Sequence, residues 1–141
     1  MNGRNFEYFS EDPLVTGVMS VAVCRGLEKA GTFGTIKHFA LNNQEGHRRT
    51  ENSCASERAI REIYLKPFEI AIKEGGAKSV MTSYNGVNGH KSASNFDLNT
   101  IVLRNEWKFD GMVMTDWWAA MNDCVKGGDS TGRNISEMIR A

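Results

Sequence analysis

Apolar and polar positions along this chain switch between two rhythms. Leu14, Val18, Val21, Ala22 and Leu27 recur at helical spacing. Asp12 and Pro13 stand in front of them, an N-cap followed by a proline at the first helical position. A helix is therefore predicted from Pro13 to near Lys29, with Gly31 as its stop. Residues 35–41 form a short run entered through Gly34 and read as a strand. Residues 42–53 are dense in polar groups without a period and read as a long loop, a kind that is usually functional or disordered.

The alternation then repeats. Residues 56–75 return to helical spacing, with Ser56 as cap and Ile60, Ile63 and Tyr64 on one face. Pro67 cannot sit inside a continuous helix, so a break is expected near Leu65, with a second piece running to Lys73 and stopping at Gly75-Gly76. Residues 78–84 read as a second strand, and Asn85-Gly86 and Asn88-Gly89 as turns. A further helix starts at Asn95 or Asp97 and runs to Trp107. Asp110-Gly111 is a turn, Met112 to Met114 is a third, buried strand, and Asp116-Trp117-Trp118 follows at once. Residues 117–130 look like a loop or short helix, and 136–141 like a helix start. Strands alternating with helices predict an α/β fold with a parallel sheet.

In such a sheet all strand C-termini lie along one edge, where this architecture places its chemistry. The three predicted strands end in Lys37-His38, Tyr84-Asn85 and Asp116-Trp117. A cation, an imidazole, a phenol and a carboxylate would thus meet, and a packed core does not select Lys and Asp unless they are paired. Two indoles beside a carboxylate suit a ligand with flat apolar faces, such as a sugar ring.

Composition narrows the classes. The 141 residues carry 17 Lys plus Arg and 17 Asp plus Glu. This balance argues against a nucleic-acid footprint and a polybasic membrane surface. No apolar run is long enough to span a bilayer. The polar start, Met1-Asn2-Gly3-Arg4-Asn5, is not a signal peptide, and a cytoplasmic location is the expectation for this stretch. Cys24, Cys54 and Cys124 are odd in number and lack Cys-x-x-Cys spacing, so reduced thiols are expected. His38, His47, His90 and Glu45 define an alternative, metal-dependent hydrolase, but no His-Glu-x-x-His pair supports it.

Several motifs, in order, resemble glycoside hydrolase family 3, and the pattern is most similar to its β-glucosidases. They are Gly3-Arg4-Asn5-Phe6-Glu7-Tyr8-Phe9-Ser10-Glu11-Asp12-Pro13, Lys37-His38-Phe39-Ala40 with Asn42-Asn43-Gln44-Glu45, Ser56-Glu57-Arg58 with Arg61-Glu62-Ile63-Tyr64-Leu65, Met81-Thr82-Ser83-Tyr84-Asn85, and Phe109-Asp110-Gly111 through Asp116-Trp117. The resemblance implies hydrolysis of terminal non-reducing β-glycosidic bonds with retention, on an oligosaccharide or an aryl or alkyl β-glycoside, without cofactor or metal. Carried over, Asp116 is the nucleophile. Arg4, Lys37, His38 and Arg48 bind sugar hydroxyls, Arg48 being chosen over Arg49 by its distance after the Asn42-Asn43-Gln44-Glu45 segment. Met81, Tyr84 and Trp117 line the pocket.

The plain alternatives are a Lys37–Glu45 pair, a satisfied core His38, a gap-filling Met81 and a frayed Arg4. Retention needs a second carboxyl about 5–5.5 Å from the nucleophile. The family takes its acid/base from another domain, and no Glu here falls in such a motif. A full (β/α)8 barrel needs about 250 residues. Residues 1–141 are thus expected to be part of one TIM-type barrel domain with no second domain, inactive alone, its partners being the rest of the barrel and the acid/base domain. A non-catalytic carbohydrate-binding or assembly piece remains the alternative.

Overall fold

The computed structural model describes residues 3–119 and 139–141. Helix α1 spans Pro13–Lys29, and Asp12 accepts hydrogen bonds from the Leu14 and Val15 amides, satisfying donors that the first turn leaves open. Strand β1 is Thr35–Phe39. A two-residue strand β2, Asn52–Ser53, follows. Helix α2, Glu57–Ala59, is capped by the Ser56 side chain and passes into a wider turn over Ile60–Tyr64, where the Leu65 amide reaches the Ile60 carbonyl five residues back. Helix α3, Lys66–Lys73, opens with Pro67 in its first turn, so the expected break is present.

Strand β3 is Ser79–Thr82, β4 Gly86–Val87, β5 His90–Lys91 and β6 Met112–Met114, with a wide helix over Asp97–Glu106 before β6. The sequence readings at 120–138 lie outside the described residues.

The main sheet is open, three-stranded and parallel, in the order β1-β3-β6. Val80 of the central strand pairs with Ile36 on one side and Val113 on the other. Phe39, Val80 and Leu103 are fully buried, and Leu65 is nearly so. The Phe39 ring meets Phe68 edge-on at 5.2 Å and Trp107 at 6.0 Å, which ties α3 and the Asp97–Glu106 helix to the sheet. Register slips between Ile36 and Phe39, so Lys37 and His38 sit on an irregular stretch of strand.

Two features differ from the pattern reading. Residues 42–53 and 85–91 are not merely loop and turns. They form a second small sheet, β2-β4-β5, in which only Asn88-Gly89 turns, both at positive φ, while Gly86 lies in a strand. Two-residue strands carry no periodicity, which is why the pattern misses them. Secondly, α1 buries Gly17 and Cys24, whereas Leu14, Val15, Val18, Met19 and Val23 stay exposed. Gly17 lets α1 approach α3: a Cβ there would lie 2.9 Å from Ile70 Cβ.

Gly111 has the tightest surroundings on the way to Asp116. A Cβ on it would lie 2.3 Å from the Lys78 carbonyl oxygen, the group that accepts from the Met112 amide at 2.9 Å. Backbone cannot swing aside as a side chain can. Gly111→Ala is expected to cost about 1–3 kcal/mol through this clash and to loosen the β3–β6 pairing. A lowered thermal midpoint of the full-length protein checks it; an unchanged midpoint contradicts it.

Candidate active site

Parallel pairing puts the ends of β1, β3 and β6 on one edge, and side chains from all three meet there. His38, 4% exposed at its side chain, faces Asp116 with Nε2 3.5 Å from Oδ2. On the other side of the ring, Nδ1 lies 3.5 Å from Arg4 Nη2 and 3.8 Å from Glu7 Oε1. With Nδ1 accepting from Arg4, the imidazole proton is left on Nε2, facing the Asp116 carboxylate.

Glu7 is the hub that the sequence reading passed over. It pairs with Arg4 Nε and with Lys37 Nζ at 3.7 Å and lies 3.8 Å from His38 Nδ1, while its own side chain is 14% exposed. The available signal was its place in Gly3-Arg4-Asn5-Phe6-Glu7, three residues after Arg4 on a 3₁₀ turn, Asn5–Glu7. Arg4 is not frayed. It is 4% exposed and also binds Glu45 at 2.6 Å. Lys37 pairs with Glu7, and Glu45 instead holds Arg4 and Arg48, the latter at 2.9 Å.

Burial opposes the charge on Arg4, but the Glu7 hydrogen bond and charge, with help from Tyr8 and Glu45, raise its pKa above the ordinary value. Burial lowers the His38 pKa below the ordinary imidazole value. Glu7 and Asp116 pull it up, while Lys37 and Arg4 push it down. Folded His38 therefore stays neutral at a pH where the unfolded imidazole, with a pKa of about 6.5, already takes a proton. The unfolded state binds more protons in that window, so stability is full above about pH 6.5 and declines as pH falls toward the lowered folded value. Between pH 7 and 5 the unfolding midpoint of the full-length protein should drop more steeply than that of His38→Gln. Parallel curves would refute the assignment.

The second strand end contributes Tyr84, buried, whose hydroxyl donates to the Trp117 carbonyl. Arg48 and Arg49 both stack on its ring, with guanidinium carbons 5.0 and 5.1 Å from the centroid. The choice between the two arginines is thus not made by this contact, although only Arg48 also pairs with Glu45. Met81 is half-buried and in register with Met114. Trp117 is 69% exposed and Trp118 84%, so neither indole belongs to the core.

The eight residues singled out from sequence fall on this edge in linked groups: Arg4, Lys37, His38 and Asp116 through Glu7 and the imidazole, and Arg48, Tyr84 and Trp117 through the tyrosine ring and hydroxyl. Met81 lies one residue before the end of β3. A cavity of about 660 Å³ opens beside Glu7, Tyr8, Lys37, His38 and Asn42, on the free edge of β1; Asp116 and Tyr84 are not among its walls. His47 and His90 are exposed, and among the described residues no group of three potential ligands could hold a metal ion.

The family model for the glycosyl hydrolase family 3 N terminal domain matches residues 1–136. The chain is 57% identical over 141 residues to a beta-glucosidase of Ruminococcus albus, covering all of this chain and 15% of that protein. It is 53% identical over 116 residues to beta-glucosidase A of Butyrivibrio fibrisolvens, covering 82% of this chain and 14% of that one. A beta-glucosidase structure from Paenibacillus barengoltzii matches with a TM-score of 0.93 and 63% identity, over 99% of this chain and 15% of that chain. Beta-glucosidase 3B from Thermotoga neapolitana, solved with glucose, matches with a TM-score of 0.84 and 41% identity, over 99% and 21%. The chain thus spans about a seventh of the length of the curated relatives.

Proposed function

The chain belongs to glycosyl hydrolase family 3, and from that premise we propose that the full-length protein hydrolyses terminal non-reducing β-D-glycosidic bonds, foremost β-glucosidic ones, with retention of configuration. The observation that carries the proposal is the Asp116 carboxylate facing His38 Nε2 at the C-terminal edge of a parallel sheet. Relatives spanning the chain are beta-glucosidases, and one related structure holds glucose.

On this reading Asp116 attacks the anomeric carbon as the aglycone leaves, and water then cleaves the glycosyl ester. Arg4, Lys37, His38 and Arg48 donate to ring hydroxyls. Such bonds favour catalysis to the extent that they tighten as the ring flattens toward the oxocarbenium-like transition state. Trp117 offers an apolar face to the sugar or its neighbour. Glu7 and Glu45 are both engaged by arginines, which leaves neither open to a leaving-group oxygen. In keeping with the family resemblance, the acid/base is assigned to another domain of the full-length protein. The remaining barrel strands are the partners proposed for the open β1 edge and the exposed stripe of α1.

A 2-deoxy-2-fluoro-glucoside with a good leaving group traps the glycosyl-enzyme. Mass analysis of the inactivated full-length protein should place the label on the peptide containing Asp116. A label on another carboxylate would overturn the assignment, and failure to cleave any aryl β-glycoside would overturn the activity.

A further inference from the structure

The described residues include a buried ammonium that the proposed chemistry does not use. Lys91, on β5, is 5% exposed. Its Nζ donates to the Arg49 carbonyl, 42 residues upstream, and to the Tyr84 carbonyl at 3.3 Å. Burying an ammonium is costly unless acceptors replace its water. A methionine would fill similar space without that cost. The two acceptors are the backbone oxygens of residues whose side chains stack on one another: the Arg49 guanidinium lies over the Tyr84 ring, next to that of Arg48.

The rest of the 42–53 segment is anchored differently. Its far end is held by the small sheet, through Gly86 N to Glu51 O at 2.8 Å and Asn88 N to Ser53 O at 3.1 Å. Upstream, residues 44–47 are exposed, and the turn closes on itself through Thr50 N to His47 O. The Lys91 contact therefore carries the hold of β5 back to residue 49, beyond the reach of the β2–β4 ladder. We infer that Lys91 is a positioning residue whose buried ammonium clamps the 47–50 turn onto the end of β3, so that Arg48 is presented to the sugar.

The functional half of this inference rests on the proposed β-glycosidase reading; the mechanical half does not. Lys91→Met and Lys91→Arg are made in the full-length protein. Native-state trypsin digestion then measures cleavage after Arg48 and Arg49, and an aryl β-glucoside gives kcat and KM. Lys91→Met should raise the cleavage rate and KM about tenfold each while kcat stays within about threefold, the pattern of lost ground-state binding. Lys91→Arg, which keeps a donor, should restore both. A wild-type cleavage rate together with an unchanged KM in Lys91→Met would overturn the clamp. So would kcat and thermal midpoint falling together while the cleavage pattern stays unchanged. If the wild-type protein cleaves no glucoside, the activity reading fails, and the trypsin comparison still decides on the clamp. Should Lys91→Met not fold, Lys91→Gln takes its place in the same two measurements.

Discussion

Asp116→Ala in the full-length protein should lower kcat on an aryl β-glucoside by about 10⁴-fold or more, which is about 5.5 kcal/mol or more of lost transition-state stabilisation. Alanine cannot form the glycosyl ester that the proposed mechanism requires. His38 Nε2, 3.5 Å from Oδ2, would face an empty place. The Arg4, Lys37 and Glu7 contacts on the other side of the ring do not involve Asp116. Ground-state sugar binding should therefore survive, and the loss should appear in kcat far more than in KM. A small anion makes the test specific. Azide entering where the carboxylate was removed attacks the face it occupied, opposite the departing aglycone. The product from a β-glucoside should be the α-glucosyl azide, with part of the rate recovered. A variant within tenfold of wild type, or a β-configured azide product, would show that Asp116 is not the nucleophile.

How far the sequence reached depends on the length scale of each signal. Elements opened by a capping side chain or a first-turn proline were legible: Asp12-Pro13 opens α1, Pro67 opens α3, and Ser56 caps α2. That β1, β3 and β6 run parallel followed from alternation of type. The small sheet did not, because β2, β4 and β5 have two residues each and a period needs more. The buried face of α1 was not legible either. Leu14 and Val18 have the right spacing for a core stripe yet are exposed, while Gly17 makes the contact with Ile70. Hydrophobic spacing reports that a face will be covered; it does not name what covers it.

The site shows the same division. Its candidate residues could be placed on one sheet edge because strand ends and motifs mark them. Those that hold them in place could not. Glu7 is marked only by its place three residues after Arg4, which does not say what else it pairs with, and Lys91 lies in a two-residue strand with no local pattern. What identifies them is burial with partners distant in sequence: Lys37 for Glu7, Arg49 for Lys91. Such long-range polar pairing leaves no trace in a single sequence.

Glu7→Gln should have the second-largest effect, and chiefly on stability. The carboxylate is 14% exposed and sits among Arg4 Nε, Lys37 Nζ and His38 Nδ1. Gln keeps the shape but removes the charge, leaving the 5%-exposed Arg4 guanidinium short of one partner. Removing one member of a buried ion pair costs about 3–5 kcal/mol, because the other remains desolvated. Glu45 still binds Arg4 Nη1 at 2.6 Å, which sets the expectation at the low end, about 3 kcal/mol. The pH response has a direction too. Glu7 raises the His38 pKa against the larger effect of burial, so its loss should lower that pKa further. The folded imidazole then resists protonation to a lower pH, and the acid-side decline in stability that begins near pH 6.5 should extend further down. Glu62→Gln provides the contrast. That carboxylate is 60% exposed beside an 83%-exposed Arg58 at 3.0 Å, a surface pair whose loss should cost about 0.5 kcal/mol. Urea unfolding of the full-length variants across pH 7 to 5 separates the two. Equal shifts for Glu7→Gln and Glu62→Gln would show that the hub carries no special weight and that Arg4, Lys37 and His38 are held by other contacts.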